Sequence, residues 1–206
     1  MKPAEKKNFY RCIVLSLVTA LTLLVCSYAM GKIRFFLVLN CDLGKIADLY
    51  FRFFTYLGDG VWWIAVAALT FKFRRDLLSY VIASFAISTI ITQVFKYLIV
   101  PDEPRPTKAI TDRHLIHVVE NVELHTVSSF PSGHTATAFC FFLFLSLVIK
   151  DKRGLFFVFI YALMVGYSRV YLAQHFPLDV AGGIIVAVIS SLLSLIIYNR
   201  FSHTKG

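Results

Sequence analysis

Three short stretches of the sequence carry side chains suited to binding a phosphate group. The first reads Pro131-Ser132-Gly133-His134 and stands directly before a long apolar run. Proline and serine here favour a helix start, where free backbone N–H groups and the helix dipole attract an anion. Gly133 would let a ligand approach the backbone closely, and His134 would lie one residue inside the pocket. The simpler interpretation is a capped helix with a histidine at the membrane surface.

The second stretch, YSRVYLAQHFPLD, contains Ser168, Arg169, His175 and Asp179. Arginine suits phosphate because its planar, permanently charged fork can donate two parallel hydrogen bonds. His175 and Asp179 lie four residues apart, with a helix predicted to start between them at about Pro177. This spacing would let the carboxylate accept the imidazole N–H, which fixes the tautomer and raises the nucleophilicity of the ring.

The third stretch, KYLIVPDEPRP, contains Lys96 and Arg105. Pro104 and Pro106 bracket the arginine, and since proline fixes its own φ and restricts the residue before it, Arg105 is held on a stiff segment. Any one of these cations alone could simply extend to a membrane surface along its apolar stem. Two histidines, a carboxylate and three cations in three such stretches favour a chemical site instead.

The composition places the chain in a membrane and predicts an all-α fold. Hydrophobic residues make up 58% of the sequence and charged residues only 16%, far from the average of soluble domains. Helices satisfy every backbone hydrogen bond in a bilayer, and the apolar runs lack the alternation of barrel strands. The first run is interpreted as a retained anchor, because it lacks a cleavage site. The six predicted spans are residues 12–30, 56–71, 77–99, 130–149, 154–172 and 176–198.

The formal charge of +9 is distributed unevenly along the chain. By the positive-inside rule, the segments rich in lysine and arginine face the cytoplasm. We therefore expect both termini in the cytoplasm and all three phosphate-suited stretches on the outward face. The charge then sets orientation, and no nucleic-acid partner is expected. The basic residues assigned to the cytoplasmic side are Lys2, Lys6, Lys7, Arg11, Lys72, Arg74, Arg75, Lys150, Lys152, Arg153, Arg200 and Lys205.

We expect one membrane domain over residues 1–206, with a catalytic core at about 56–200 and with the first span and an outer interfacial segment in 1–55. The aromatic segment ADLYFRFFTYLGDGVWW is typical of a membrane interface, or it forms a ledge where lipid chains enter. The outer loop, residues 107–128, contains three histidines, and solvated side chains are favoured over a metal site. These histidines are His114, His117 and His125.

Together these residues resemble the motifs of the type 2 phosphatidic acid phosphatase superfamily, integral-membrane lipid phosphatases related to the vanadium haloperoxidases. The family's P-S-G-H motif matches residues 131–134, and its S-R-x5-H-x3-D motif matches residues 168–179 at the full spacing. The first motif of the family is usually written K-x6-R-P, whereas this chain has K-x8-R-P beginning at Lys96. Arg105 matches the arginine of this motif. The two additional residues put Lys96 outside the usual spacing, so the resemblance assigns its role less directly.

The resemblance implies a six-helix protein with an outward-facing site and a covalent mechanism. His175, aligned by Asp179, would attack phosphorus and form a phosphohistidine. His134 would protonate the leaving oxygen and then activate water. No metal or other cofactor is expected, because cations of the chain take its place. The residues implied in binding the phosphoryl oxygens are Lys96, Arg105, Ser132, Gly133, Ser168 and Arg169.

The implied substrate is a lipid phosphate in the outer leaflet, and the implied location is a bacterial inner membrane. A polyprenyl diphosphate such as undecaprenyl diphosphate, or a lipid A phosphate, is favoured, because both are met on the outward face and both lose one terminal phosphoryl group. Phosphatidylglycerophosphate and phosphatidic acid are the alternative substrates. The alternatives of another class are a membrane transporter, which would place charge near the bilayer midplane, and a non-catalytic lipid-binding protein. Besides membrane lipids, no obligate protein partner is expected.

Overall fold

The computed structural model describes residues 3–203, and within that range the chain is all-helical. The predicted cytoplasmic residues Lys2 and Lys205 lie outside the described residues. Three short non-α turns flank the helices, two of them 3-10 turns at Arg75–Leu77 and Arg113–Leu115 and one a π-helical turn at Phe95–Ile99. The α-helices are α1 Pro3–Met30, α2 Lys32–Leu39, α3 Lys45–Tyr56, α4 Trp62–Phe73, α5 Leu78–Val94, α6 Pro106–Ala109, α7 Gly133–Leu145, α8 Lys152–Tyr171 and α9 Pro177–His203.

Four helical segments are long and apolar enough to cross a membrane, and they correspond to four of the six predicted spans. The segments are Glu5–Met30, Arg75–Ile99, Lys152–Tyr171 and Pro177–Arg200. The other two predicted spans contain only α4, with 12 residues, and α7, with 13 residues. At 1.5 Å per residue these helices are about 18 and 20 Å long, shorter than a hydrocarbon core of roughly 30 Å. The all-α prediction is confirmed.

The predicted second span is interrupted where the sequence reads LGDG. A turn at residues 57–61 separates α3 from α4, so the predicted start at position 56 belongs to α3. On α3, Phe51 and Thr55 are buried, while the large apolar side chains of Ile46, Leu49 and Phe53 are exposed. An amphipathic helix with such an apolar face suits the interfacial position that the sequence predicted for this part of the chain.

The core is organised around α9, which packs against α1, α5 and α7. Helix α7 is buried on all sides from Thr135 to Phe144, as expected of a helix that is apolar around its whole circumference. Two glycines let α9 approach the start of α7. A Cβ at Gly183 would lie 2.5 Å from the Ser132 carbonyl oxygen, and one at Gly182 would lie 2.3 Å from the Phe130 ring.

Backbone contacts bring the starts of α7 and α9 together. The Ser132 N–H donates to the Asp179 carbonyl oxygen at 3.0 Å. Ser132 is the N-cap of α7, and α9 starts at Pro177, so both predicted helix starts are confirmed. The end of α8 is connected to the start of α9 by only five residues. These helix ends, together with the end of α5, form the part of the molecule that contains the candidate site.

Candidate active site

A cleft of about 280 Å³ opens between the 57–61 turn, α5 and the start of α7. Of the predicted residues, Lys96, Gly133 and His134 line it, and Lys96 lies in the π-helical turn that follows α5. Such turns occur often at functional sites. The two additional residues between Lys96 and Arg105 therefore do not remove Lys96 from the site. The remaining lining residues are Gly58, Gly60, Phe85, Ser88, Thr89, Thr92, Gln93, Ala136 and Thr137.

His175 and Asp179 are adjacent and buried, as the four-residue spacing predicted. The distance from His175 Nδ1 to Asp179 Oδ2 is 3.5 Å, longer than the roughly 3.2 Å limit of a good N–H···O bond. Oδ2 instead accepts from the Ser129 hydroxyl and from the Phe176 N–H, the latter at 2.9 Å. Within residues 3–203, His175 Nδ1 has no hydrogen-bond partner. The carboxylate is thus fixed by the chain and lies beside the imidazole.

His175 is held in its neutral form by its surroundings. The side chain lies in the loop between α8 and α9 and the residue is 1% exposed. Burial lowers the pKa of the imidazole well below its ordinary value, and the positive charges of Arg105, Arg169 and Lys96 act in the same direction. A neutral imidazole keeps a free lone pair at physiological pH, which a nucleophile requires.

The two predicted arginines converge on one amide oxygen, that of Gln174. Arg105 Nη1 donates to Gln174 Oε1 at 3.4 Å and to the Gln174 carbonyl at 3.1 Å, and Arg169 Nη2 donates to the same Oε1 at 3.5 Å. Arg169 also donates to the Thr55 hydroxyl, and Arg105 Nε donates to the Val127 carbonyl at 2.9 Å. Burial lowers the pKa of the Arg105 guanidinium. Two buried like charges around one neutral acceptor make a strong anion site.

The two predicted serines use their hydroxyls within their own helices. Ser132 Oγ accepts from the Thr135 hydroxyl at 2.8 Å and from its N–H at 3.4 Å. Ser168 Oγ donates to the Val165 carbonyl at 2.7 Å. Both serines are fully buried, and neither is among the residues that line the cleft.

Four residues at the site were not predicted from the sequence. Gln174 binds both arginines, Thr55 binds Arg169, Ser129 binds Asp179, and Asp59 lies near His134. Gln174 lies within the S-R-x5-H-x3-D motif, next to His175, and this position was the available signal for it. Thr55 and Asp59 lie in the aromatic segment that was interpreted as an interface, and nothing in the sequence relates them to residues more than 70 positions away.

The outer loop packs onto the site and does not bring its three histidines together among the described residues. Gln174 Nε2 donates to the Glu123 carbonyl at 2.8 Å. The buried amide of Asn40 accepts from the His117 N–H at 2.9 Å and donates to the Tyr171 carbonyl at 2.8 Å. The His117 ring contacts Asp48 at 2.9 Å. His114 and His125 are exposed, as predicted, whereas His117 is held against Asp48 and is not a solvated side chain.

The fold and the site define an all-helical membrane protein in which basic and histidine side chains converge where four helices end. The chain belongs to the PAP2 superfamily, whose family model matches residues 77–202. The predicted family is thereby confirmed. The match to the family model covers more than half of the chain, including all three predicted motifs.

Three known proteins show how far the similarity extends. The bacitracin transport permease protein BcrC of Bacillus licheniformis is 30% identical over 69% of this chain and 64% of its own length. The undecaprenyl-diphosphatase BcrC of Bacillus subtilis is 32% identical over 59% of this chain and 53% of its own length. The crystal structure of Aquifex aeolicus LpxE superposes with a TM-score of 0.67 at 29% identity, covering 78% of this chain and 92% of that one. The chain thus spans between half and two thirds of the length of these two curated relatives.

Proposed function

We propose that this protein is a metal-independent lipid phosphatase that acts through a phosphohistidine. The observation that carries the proposal is the convergence of a buried neutral His175, the Asp179 carboxylate and two buried arginines at one end of the helices. These are the groups that a phosphoryl transfer needs for attack, for alignment of the attacking group and for charge stabilisation. Membership of the PAP2 superfamily supports the same assignment.

In the proposed first step, the free lone pair of His175 attacks phosphorus while the bond from phosphorus to the leaving oxygen breaks. His134, which lines the cleft, gives its proton to that oxygen. In the second step, the now neutral His134 takes a proton from water, and the water oxygen attacks the phosphohistidine. The phosphorus–nitrogen bond breaks, inorganic phosphate leaves, and His175 regains its lone pair. Arg105, Arg169 and Lys96 stabilise the phosphoryl oxygens in both steps.

As the substrate we propose a polyprenyl diphosphate, with a lipid A phosphate as the next choice. The undecaprenyl-diphosphatase of Bacillus subtilis supports this choice. The position of the cleft supports a lipid, since its lining includes Gly58 and Gly60, and the exposed aromatic residues Tyr56 and Trp62 flank this turn in the sequence. Such a surface can keep a polyprenyl chain in hydrocarbon while the diphosphate reaches the cationic end of the helices.

The substrate class is tested by phosphate release from the purified chain in detergent, with a His175→Ala variant as the matched inactive control. Undecaprenyl diphosphate, lipid A, phosphatidylglycerophosphate, phosphatidic acid and a soluble sugar phosphate are compared at equal concentration. We expect kcat/KM for the best lipid to exceed that for the soluble phosphate by about 100-fold or more, because the soluble compound lacks the binding energy of the chain. Equal rates on all five compounds would reject the lipid class but not the phosphatase chemistry.

We also propose that six segments cross the membrane, with both termini in the cytoplasm and the site on the outer face. The charge distribution of the sequence supports this orientation. In a background without the four native cysteines, Lys108→Cys is expected to react with a membrane-impermeant maleimide in intact cells. The matched variant Lys150→Cys, also at an exposed lysine, is expected to react only after permeabilisation. Labelling of both positions from one side rejects the orientation.

A transport role is the second candidate function, because the Bacillus licheniformis relative is named a bacitracin transport permease protein. The location of the charged groups argues against it, since they lie at helix ends rather than on broken helices at the bilayer midplane. The phosphate-release assay separates the two functions. A transporter without hydrolytic activity releases no phosphate from any compound of the panel, whereas the proposed enzyme does so without a partner protein.

A further inference from the structure

The turn between α3 and α4, at residues 57–61, is packed directly against His134. A Cβ built on Gly58 would lie 2.5 Å from Val165 Cγ1, 3.1 Å from His134 Cβ and 3.2 Å from the His134 carbonyl oxygen. Any side chain at position 58 would therefore displace Val165 or the start of α7. The Tyr161 hydroxyl donates to the Leu57 carbonyl at 2.7 Å and fixes the turn from the side of α8. The turn is thus a built part of the site rather than a free connection.

This turn places a carboxylate beside the histidine of the cleft. Asp59 Oδ1 lies 3.7 Å from His134 Nε2, and the two side chains are 48% and 29% exposed. The charged and titratable groups that act on His134 from the π-helical turn, the 100–105 segment, α8 and the α8–α9 loop are Lys96, Arg105, Arg169 and His175. All four are cationic or become cationic on protonation. Asp59 differs from these four groups: within residues 3–203 it is the carboxylate that forms an ion-pair contact with the His134 ring, so it can stabilise a positive charge there.

We infer that Asp59 is the positioning residue of the acid–base histidine, directing the His134 imidazole into the cleft and stabilising the ring when it carries the proton of the first step. The inference rests on the proposed function, in which His134 must carry a proton to the leaving oxygen. Four surrounding groups oppose a protonated ring, and a carboxylate at 3.7 Å offsets part of that opposition. Asp59 also interacts electrostatically with Arg169, so its charge acts on two groups of the cationic site.

The test compares Asp59→Asn with the wild-type protein and with Asp102→Asn, which alters an exposed outward-facing carboxylate away from the cleft. In Asp59→Asn the ring is deprotonated more easily, so the alkaline limb of the kcat profile is expected to move to lower pH by about one unit or less. At pH 8 we expect kcat to fall about tenfold with KM little changed. Asp59→Glu is expected to restore part of the activity, because it restores the charge.

The leaving group provides a second readout that a merely structural role would not move. A lipid monophosphate, with a poor alkoxide leaving group, is expected to suffer more from Asp59→Asn than a lipid diphosphate, whose phosphate leaving group needs less protonation. An unchanged pH profile in Asp59→Asn, or a loss that is equal for both substrates, overturns the inference. If the wild-type protein itself releases no phosphate, the proposed function fails. The inference is then decided by NMR titration of His134, whose pKa should be lower in Asp59→Asn.

Discussion

A His175→Ala protein is expected to lose turnover and the covalent intermediate together. The substitution removes the imidazole that, in the proposed mechanism, attacks phosphorus and forms the phosphorus–nitrogen bond. Loss of a nucleophile typically lowers kcat by about 10⁴-fold or more. Turnover is measured as phosphate release, and the intermediate is measured by acid-quenched trapping of labelled phosphate, with correct folding checked by thermal unfolding in detergent.

The matched comparison is His134→Ala, which changes the other histidine of the site. Its failure is expected to be of a different kind, since it leaves the nucleophile in place. With a substrate whose leaving group needs no proton, His134→Ala should still form phosphoenzyme, which then accumulates because water is not activated. A His175→Ala protein with wild-type turnover would falsify the covalent mechanism. Two variants that fail identically with every leaving group would contradict the separate roles.

The second large effect is expected from Asp179→Asn, with a loss in kcat of about 10²- to 10⁴-fold. The asparagine can keep the oxygen that accepts from Ser129 and from the Phe176 N–H. It loses the negative charge beside His175 and therefore the support for the positive charge that develops on the ring during attack. Single-turnover experiments, quenched at successive times, measure the rate of phosphoenzyme formation directly. The control Asp112→Asn changes an exposed carboxylate of the outer loop.

Thermal unfolding should show similar stability for Asp179→Asn and the wild-type protein, because the hydrogen bonds of the buried oxygen are retained. A variant within tenfold of wild-type kcat means that the carboxylate does not align His175. A variant that fails to form phosphoenzyme only because it is unfolded is identified by the same unfolding curve. Asp179→Glu then decides the role of the charge, since it keeps the carboxylate at the cost of a longer side chain.

Local chemistry explains which parts of the structure the sequence predicted correctly. The start of α7 at Ser132 and that of α9 at Pro177 depend on side chains within one turn of the helix end. The juxtaposition of His175 and Asp179 likewise follows from a four-residue spacing at a helix start. Apolar composition over a window of about 20 residues is enough to place a segment in a helix, and it correctly predicted an all-helical chain.

Three features could not be predicted in this way. The mean hydropathy of positions 56–71 is that of an apolar span and does not reveal the turn at Gly58. The sequence LGDG within it contains residues that favour a turn. The contacts of Gln174 and Asp59 are long-range, since they depend on how α3, α7 and α8 pack. No periodicity or spacing within a single segment contains that information. The hydrogen bond predicted between His175 and Asp179 also depends on Ser129, which competes for the same carboxylate oxygen.

The position of Gln174 has a consequence for how a phosphate binds. Its amide oxygen already accepts from both guanidinium groups, in the place where a phosphoryl oxygen is expected to accept. A ligand that accepts a hydrogen bond from either arginine therefore replaces Gln174 as the acceptor. The net gain in binding free energy is the difference between hydrogen bonds to a charged and to a neutral acceptor. The same amide donates to the Glu123 carbonyl, so a movement of the Gln174 side chain would also change a hydrogen bond of the outer loop. In the proposed enzyme, binding of the headgroup would therefore act on the 107–128 loop through the Gln174 side chain.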